Sequence, residues 1–168
     1  MQLVSYKCPD CDSTHLGRPA LNLRFPEPVI DAMQRGDRVK TGPSICQILY
    51  PKPKRHFIKA NFAIPIHEGG QLDYGGWIEL EEEDLRIYEN FRQWMGSKRI
   101  SGILTSKIPG FEDAYGTPVI VTITDEDTYP HLHPLNIDTR LYKDLTNGVS
   151  NHEAELRMKS WILAVNQR

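Results

Sequence analysis

The clearest pattern in the chain begins at Ile58, where Ile58, Ala60, Phe62, Ile64 and Ile66 fall on one side and Lys59 and Asn61 on the other. A period of two with one apolar face predicts a half-buried strand. His67-Glu-Gly-Gly70 turns the chain, and Tyr74 to Leu80 returns with Ile78 and Leu80 facing the same core. That parity sets Trp77 and Glu79 on the opposite face, where a tryptophan is either covered by a helix or exposed for a partner, and the covered reading is favoured. Before this hairpin, Ser44 to Tyr50 is rich in strand formers, and Pro51-Lys-Pro-Lys-Arg55 reads as an exposed basic turn. After it, Ile100 to Ile108 and the run from Pro118 through Val119, Val121 and Ile123 predict two more strands. A short strand at Leu21 to Phe25 interrupts an otherwise irregular arm, and residues 37–43 read as a turn.

Elsewhere the period changes to that of a helix. Glu27-Pro28 opens a short helix that Gly36 ends, with proline tolerated in the first turn. Leu85, Tyr88, Phe91, Trp94 and Met95 are spaced by threes and fours behind Glu81-Glu-Glu-Asp84, which predicts a helix over residues 81–95 with its acids at the positive end. Asp138 to Leu145 predicts another, ended by Asn147-Gly148. Ser150 followed by Glu153 is a capping box for a last helix over residues 150–166, with an apolar stripe of Ala154, Met158, Trp161, Ile162 and Val165. Thr128 to Pro134 reads as a loop carrying His131 and His133, which either tie the loop to the domain or converge on a metal. The expected fold is a single α+β domain over 1–168, with a mainly antiparallel sheet from about Ser44 to Asp125 flanked by helices. Residues 1–26 form a cysteine knuckle and arm, and residues 27–168 the body.

At 168 residues the chain can bury roughly 70% of its unfolded surface, so its core needs no staple. Apolar content of 39% and charged content of 25% are those of a soluble globular protein, and a formal charge of −2 gives no case for general nucleic-acid binding. Three unevenly placed cysteines do not make a secreted disulfide framework. The first residues lack the apolar run of a signal peptide, and no stretch has the length of a membrane span, so a cytoplasmic, non-membrane protein is expected. There is no Gly-x-Ser-x-Gly elbow, phosphate-binding loop, dinucleotide glycine fingerprint or His-Glu-x-x-His pair.

One motif carries chemistry. Cys8-Pro-Asp-Cys11 can bring two thiolates to one side of a tight turn, at the separation a tetrahedral zinc ion needs. His15 is placed to be a third ligand, and Cys46 a fourth if its strand passes beside the knuckle. The bland readings are a reduced thiol pair and, for Cys46, an apolar core residue.

Cys8-x-x-Cys11-x-x-x-His15, the Cys46 strand, Phe57-Ile58, Ile64-Pro65-Ile66, Tyr74-Gly-Gly-Trp77, Ile108-Pro-Gly-Phe111, His133-Pro-Leu135 and Gly148-Val-Ser150 fall in an order that resembles the bacterial domain-of-unknown-function 2199 family. The resemblance implies that the knuckle cysteines and Cys46 recur together, which supports Cys46 as their partner. Asp12 stands where the family has glycine. It implies no activity.

Two functions follow as expectations. The first is a non-catalytic cytoplasmic protein-binding module with a structural zinc. One concrete form is an immunity protein that neutralises a toxin or other basic protein through an acidic and aromatic strip of Trp77, Glu79, Glu81, Glu82 and Glu83. The second is a small zinc-dependent enzyme in which Cys8, Cys11 and Cys46 leave the fourth position to water, with His15 or His133 as acid or base.

Overall fold

The computed structural model describes residues 4–7, 14–17, 21–91, 96–124 and 129–166. In chain order the strands are β1 (Val4–Lys7), β2 (Thr14–Gly17), β3 (Leu21–Asn22), β4 (Arg38–Lys40), β5 (Ile45–Tyr50), β6 (Arg55–Pro65), β7 (Gln71–Leu80), β8 (Ser97–Leu104), β9 (Pro118–Thr124) and β10 (His131–Pro134). The helices are α1 (Glu27–Gln34), α2 (Glu82–Asn90), α3 (Arg140–Asn147) and α4 (Asn151–Asn166).

The architecture is α+β, as the periodicities predict, but the sheet closes on itself. β6 through β10 follow one another, and each is antiparallel to its predecessor. In a meander of five strands the first and the last run the same way, so the seam can close only with a parallel pair. Asn61 of β6 indeed lies opposite His131 of β10 in parallel register. β5 and β4 extend the sheet beyond β6, and β3 adds to β7. An alternating sequence states which face is buried; it says nothing of whether the two ends of a sheet meet.

Three local expectations shift. Of the loop expected over residues 128–134, His131–Pro134 is instead a strand, β10, which fills the gap between β9 and β6. Arg38–Lys40 is a short edge strand inside the expected turn. The strand expected at residues 100–108 is β8, which starts earlier and stops at Leu104; the Thr105 N–H and hydroxyl still donate to the Trp77 carbonyl, but the Trp77 N–H donates to the Ser106 side chain and not to a ladder carbonyl. Helix α2 ends at Asn90, and Trp94 and Met95 lie outside the described residues.

The barrel interior is filled by Ile58, Ala60, Phe62 and Ile64 of β6 with Val119 and Val121 of β9 and Leu132 of β10, all buried. β7 and β8 cross so closely that Gly102 has no room for a side chain. A Cβ there would collide with Ile78 and lie 2.7 Å from the Glu79 carbonyl oxygen. An aromatic cluster lies under α4: Tyr74 stacks on Phe62 at 5.0 Å and meets Phe111 and Trp161 edge-on at 5.6 and 6.3 Å. Helix α4 begins as its sequence predicts, with the Glu153 N–H donating to Ser150 Oγ at 3.2 Å. The Glu153 carboxylate does not complete the capping box; it accepts from Arg140 at 2.6 Å and Arg157 at 2.8 Å.

Candidate functional site

A cleft of about 950 Å³ opens where β7 gives way to α2. One wall is acidic, with Glu79, Glu81, Glu82 and Asp84 at the end of β7 and the start of α2, and the other is the basic turn of Lys52, Lys54 and Arg55. Between them lies apolar surface, including Ile103 and Leu135, which remain 39% and 52% exposed. Large apolar side chains left in water between charged walls mark a surface suited to recognition.

The acidic strip predicted from sequence is therefore one side of a two-sided groove, and its members differ. Trp77 is not on the surface at all. It is 0% exposed, its indole N–H donates to the Leu23 carbonyl at 3.0 Å, and its backbone N–H donates to Ser106 Oγ at 2.7 Å. As a contact for a partner it is ruled out by burial; the covering comes from the chain at Leu23 and Thr105–Ser106. Glu79 is taken up by a two-pronged pair with Arg55, Nε to Oε1 at 2.6 Å and Nη2 to Oε2 at 2.7 Å. That hydrogen bond raises the Arg55 pKa further above its ordinary value. Glu82 accepts from Arg86 one helical turn on, at 2.8 Å, and the bond lowers its pKa. Burial, with Glu83 and Glu81 beside it, raises the pKa of Asp84. Glu81 and Glu83 are exposed on this rim. The exposed basic turn was read from the sequence, but not as the second wall of this groove; the exposed Ile103 and Leu135 went unseen, although Leu135 belongs to the His133-Pro-Leu135 motif.

Of the four expected zinc ligands, Cys8 and Cys11 lie outside the described residues. β1 and β2 form an antiparallel hairpin in which Tyr6 faces His15 and Lys7 faces Thr14, so residues 8–13 connect its two strands. Cys46, on β5, is fully buried; its thiol lies 3.8 Å from the Gly42 carbonyl oxygen, to which the S–H donates. Burial raises its pKa and so favours the thiol over the thiolate that would bind a metal. Among the described residues no group of three His, Cys, Asp or Glu side chains is arranged to hold a metal ion. No described helix is long and apolar enough to cross a membrane.

A family model described as an uncharacterized protein conserved in bacteria (DUF2199) matches residues 7–149. No curated protein and no solved structure matches the chain.

Proposed function

Since the chain belongs to the uncharacterized bacterial family DUF2199, we propose its function from its own surface: it is a non-catalytic binding module whose cleft receives a segment of another protein. The observation that carries this reading is the apolar floor at Ile103 and Leu135, exposed between walls of opposite charge. Glu81 and Glu83 supply the rim that a basic partner would meet, and the immunity form, with a basic toxin as partner, is the most specific version. Two of the cleft's carboxylates already hold arginines, an arrangement that suits a fixed recognition surface better than proton transfer.

The test uses the full chain as bait at low salt. The combined change Glu81→Lys and Glu83→Lys is expected to weaken capture of a defined partner by about tenfold or more. Ile103→Asp is expected to weaken it similarly, while circular dichroism stays native. Capture unchanged by all three substitutions defeats the proposal.

A structural zinc belongs to the same reading. It rests on the spacing of Cys8, Cys11 and His15 in the sequence and on the antiparallel pairing of β1 with β2, the strands that precede Cys8 and carry His15. Elemental analysis of the purified protein is expected to find about one zinc per chain, lost in Cys11→Ser. Loss in Cys46→Ala as well makes Cys46 the fourth ligand; retention there makes it a core thiol. Absence of zinc from the native chain rejects the site, and a zinc whose removal leaves the fold intact but ends a hydrolytic activity favours the enzyme.

A further inference from the structure

The charges that line the cleft are not all spent within the chain. Glu79 is held by Arg55 and Glu82 by Arg86. Lys52 and Lys54 on one wall, and Glu81 and Asp84 on the other, have no ion pair among the described residues. Burial first, and then Glu83 and Glu81, raise the Asp84 pKa, as befits a carboxylate crowded by others of its sign. The apolar floor between the walls is continuous. Ile103 of β8 lies opposite Pro118 of β9, and the Leu135 N–H donates to the Pro118 carbonyl at 3.2 Å.

Each wall is the complement of the other. Two free cations stand against two free carboxylates, so these unspent charges cancel as a whole and yet are divided by sign. A two-fold contact between identical chains is isologous: whatever a residue of one copy meets in the other, it is met by in return. A surface of one sign repels its own copy in such a contact, whereas a surface divided by sign attracts it when the axis runs between the halves. An axis through the apolar floor sets the lysines of each copy against Glu81 and Asp84 of the other, and Ile103 and Leu135 against their own counterparts. The basic turn is also shaped to enter a cleft. Residues 50–54 are all exposed, Tyr50 by 65%, and Pro51 and Pro53 fix φ at two positions, which limits the freedom lost on docking.

We propose that the cleft is a self-association surface on which two copies of this chain pair about a two-fold axis over Ile103 and Leu135. The turn carrying Lys52 and Lys54 of each copy lies against the acidic wall of the other. A uniformly basic partner satisfies the carboxylates and repels the lysines, and a uniformly acidic one does the reverse; a second copy satisfies both. The inference goes beyond the reading of the cleft as a receiver of another protein, and the two occupants compete for one surface. One cleft and its rim make a small contact, so the pairing is weak and reversible.

Sedimentation velocity of the full chain, from roughly 10 µM to 1 mM, tests the pairing. The native chain is expected to pass from monomer to dimer and no further, and a rise in salt from about 50 mM to about 500 mM to weaken the dimer by about fivefold or more. Lys52→Glu with Lys54→Glu, and separately Glu81→Lys with Asp84→Lys, give each wall the sign of its opposite. Each variant is expected to dimerise at least about tenfold more weakly than the native chain, with a native circular dichroism spectrum. Mixed in equal amounts, the two variants are expected to recover the native affinity or exceed it, because every wall again meets its opposite. Glu81→Lys alone serves as the second variant if α2 does not tolerate the double change. A native chain that stays monomeric up to about 1 mM, or oligomers that keep growing with concentration, would overturn the proposal. So would reversed variants that dimerise like the native chain, or that fail to associate when mixed. Capture of a foreign partner is read in the separate bait experiment, so failure of either reading leaves the other standing.

Discussion

Replacing Arg157 with alanine is expected to lower folding stability by about 3–5 kcal/mol, measured by urea denaturation with an unchanged m-value. The side chain is only 9% exposed and serves four groups at once. Its Nη2 lies 2.7 Å from Asp144 Oδ2 of α3, its Nε donates to Glu153 Oε1 at 2.8 Å, its guanidinium sits 5.0 Å over the Phe111 ring, and its field reaches the buried Tyr74 hydroxyl. Truncation removes the nearer of the two cations of Asp144, whose side chain is only 17% exposed, and leaves it Arg140 Nε at 3.6 Å. Arg157→Ala with Asp144→Ala together should cost less than the sum of the two alone, because the second change removes the charge that the first leaves short of a cation. Burial pushes the Tyr74 pKa up to about 12, so the phenol stays neutral and takes no part in this balance below that pH.

The same cluster sets an acid limit. The Glu153 pKa is lowered, first by its hydrogen bond from Arg157. A lowered folded-state pKa contributes stability that is fully present above the unfolded value of 4.5 and is lost as pH falls through the folded value. Stability should therefore hold from neutrality down to about pH 5 and decline below it, and the decline should be shallower in Glu153→Gln. A loss under about 1 kcal/mol in Arg157→Ala would mean that α4 is held by its apolar stripe alone.

How much of this was legible in the sequence depends on distance along the chain. The β6–β7 hairpin was readable because its alternation and its Gly69-Gly70 turn are local, and their pairing runs unbroken from His56 opposite Leu80 to Pro65 opposite Gln71. The start of α4 was readable because Ser150 and Glu153 are three residues apart. Closure of the barrel was not, since it depends on β10, four residues whose His-Leu-His-Pro alternation is too short to separate from a loop. The cleft was half legible. Its acidic wall is one contiguous run, whereas its basic wall, Ile103 and Leu135 come from three other segments that only the closed sheet brings together. Arg157 gave no signal, because an arginine within an apolar stripe looks like the polar edge of a helix until Asp144 is placed beside it.

Trp77 is the position where fold and function are most easily confused, and its replacement separates them. Trp77→Ala is expected to cost about 3–5 kcal/mol, because it removes a fully buried ring and leaves the Leu23 carbonyl without its donor. Trp77→Phe keeps most of the volume and loses the hydrogen bond, so it should cost about 1–2 kcal/mol. The segment around Leu23 precedes α1 and lies beside β3, which pairs with β7 in parallel. Loss of the indole should accordingly raise amide hydrogen exchange at Leu21 to Phe25 before the barrel strands respond, because that segment then keeps only two ladder residues and the burial of Leu21 and Leu23 to hold it. Partner capture by Trp77→Phe should match the native chain, since nothing of the ring reaches the cleft surface. A native-like stability in Trp77→Ala together with lost capture would place the indole at an interface, and the burial on which the fold description rests would then be wrong.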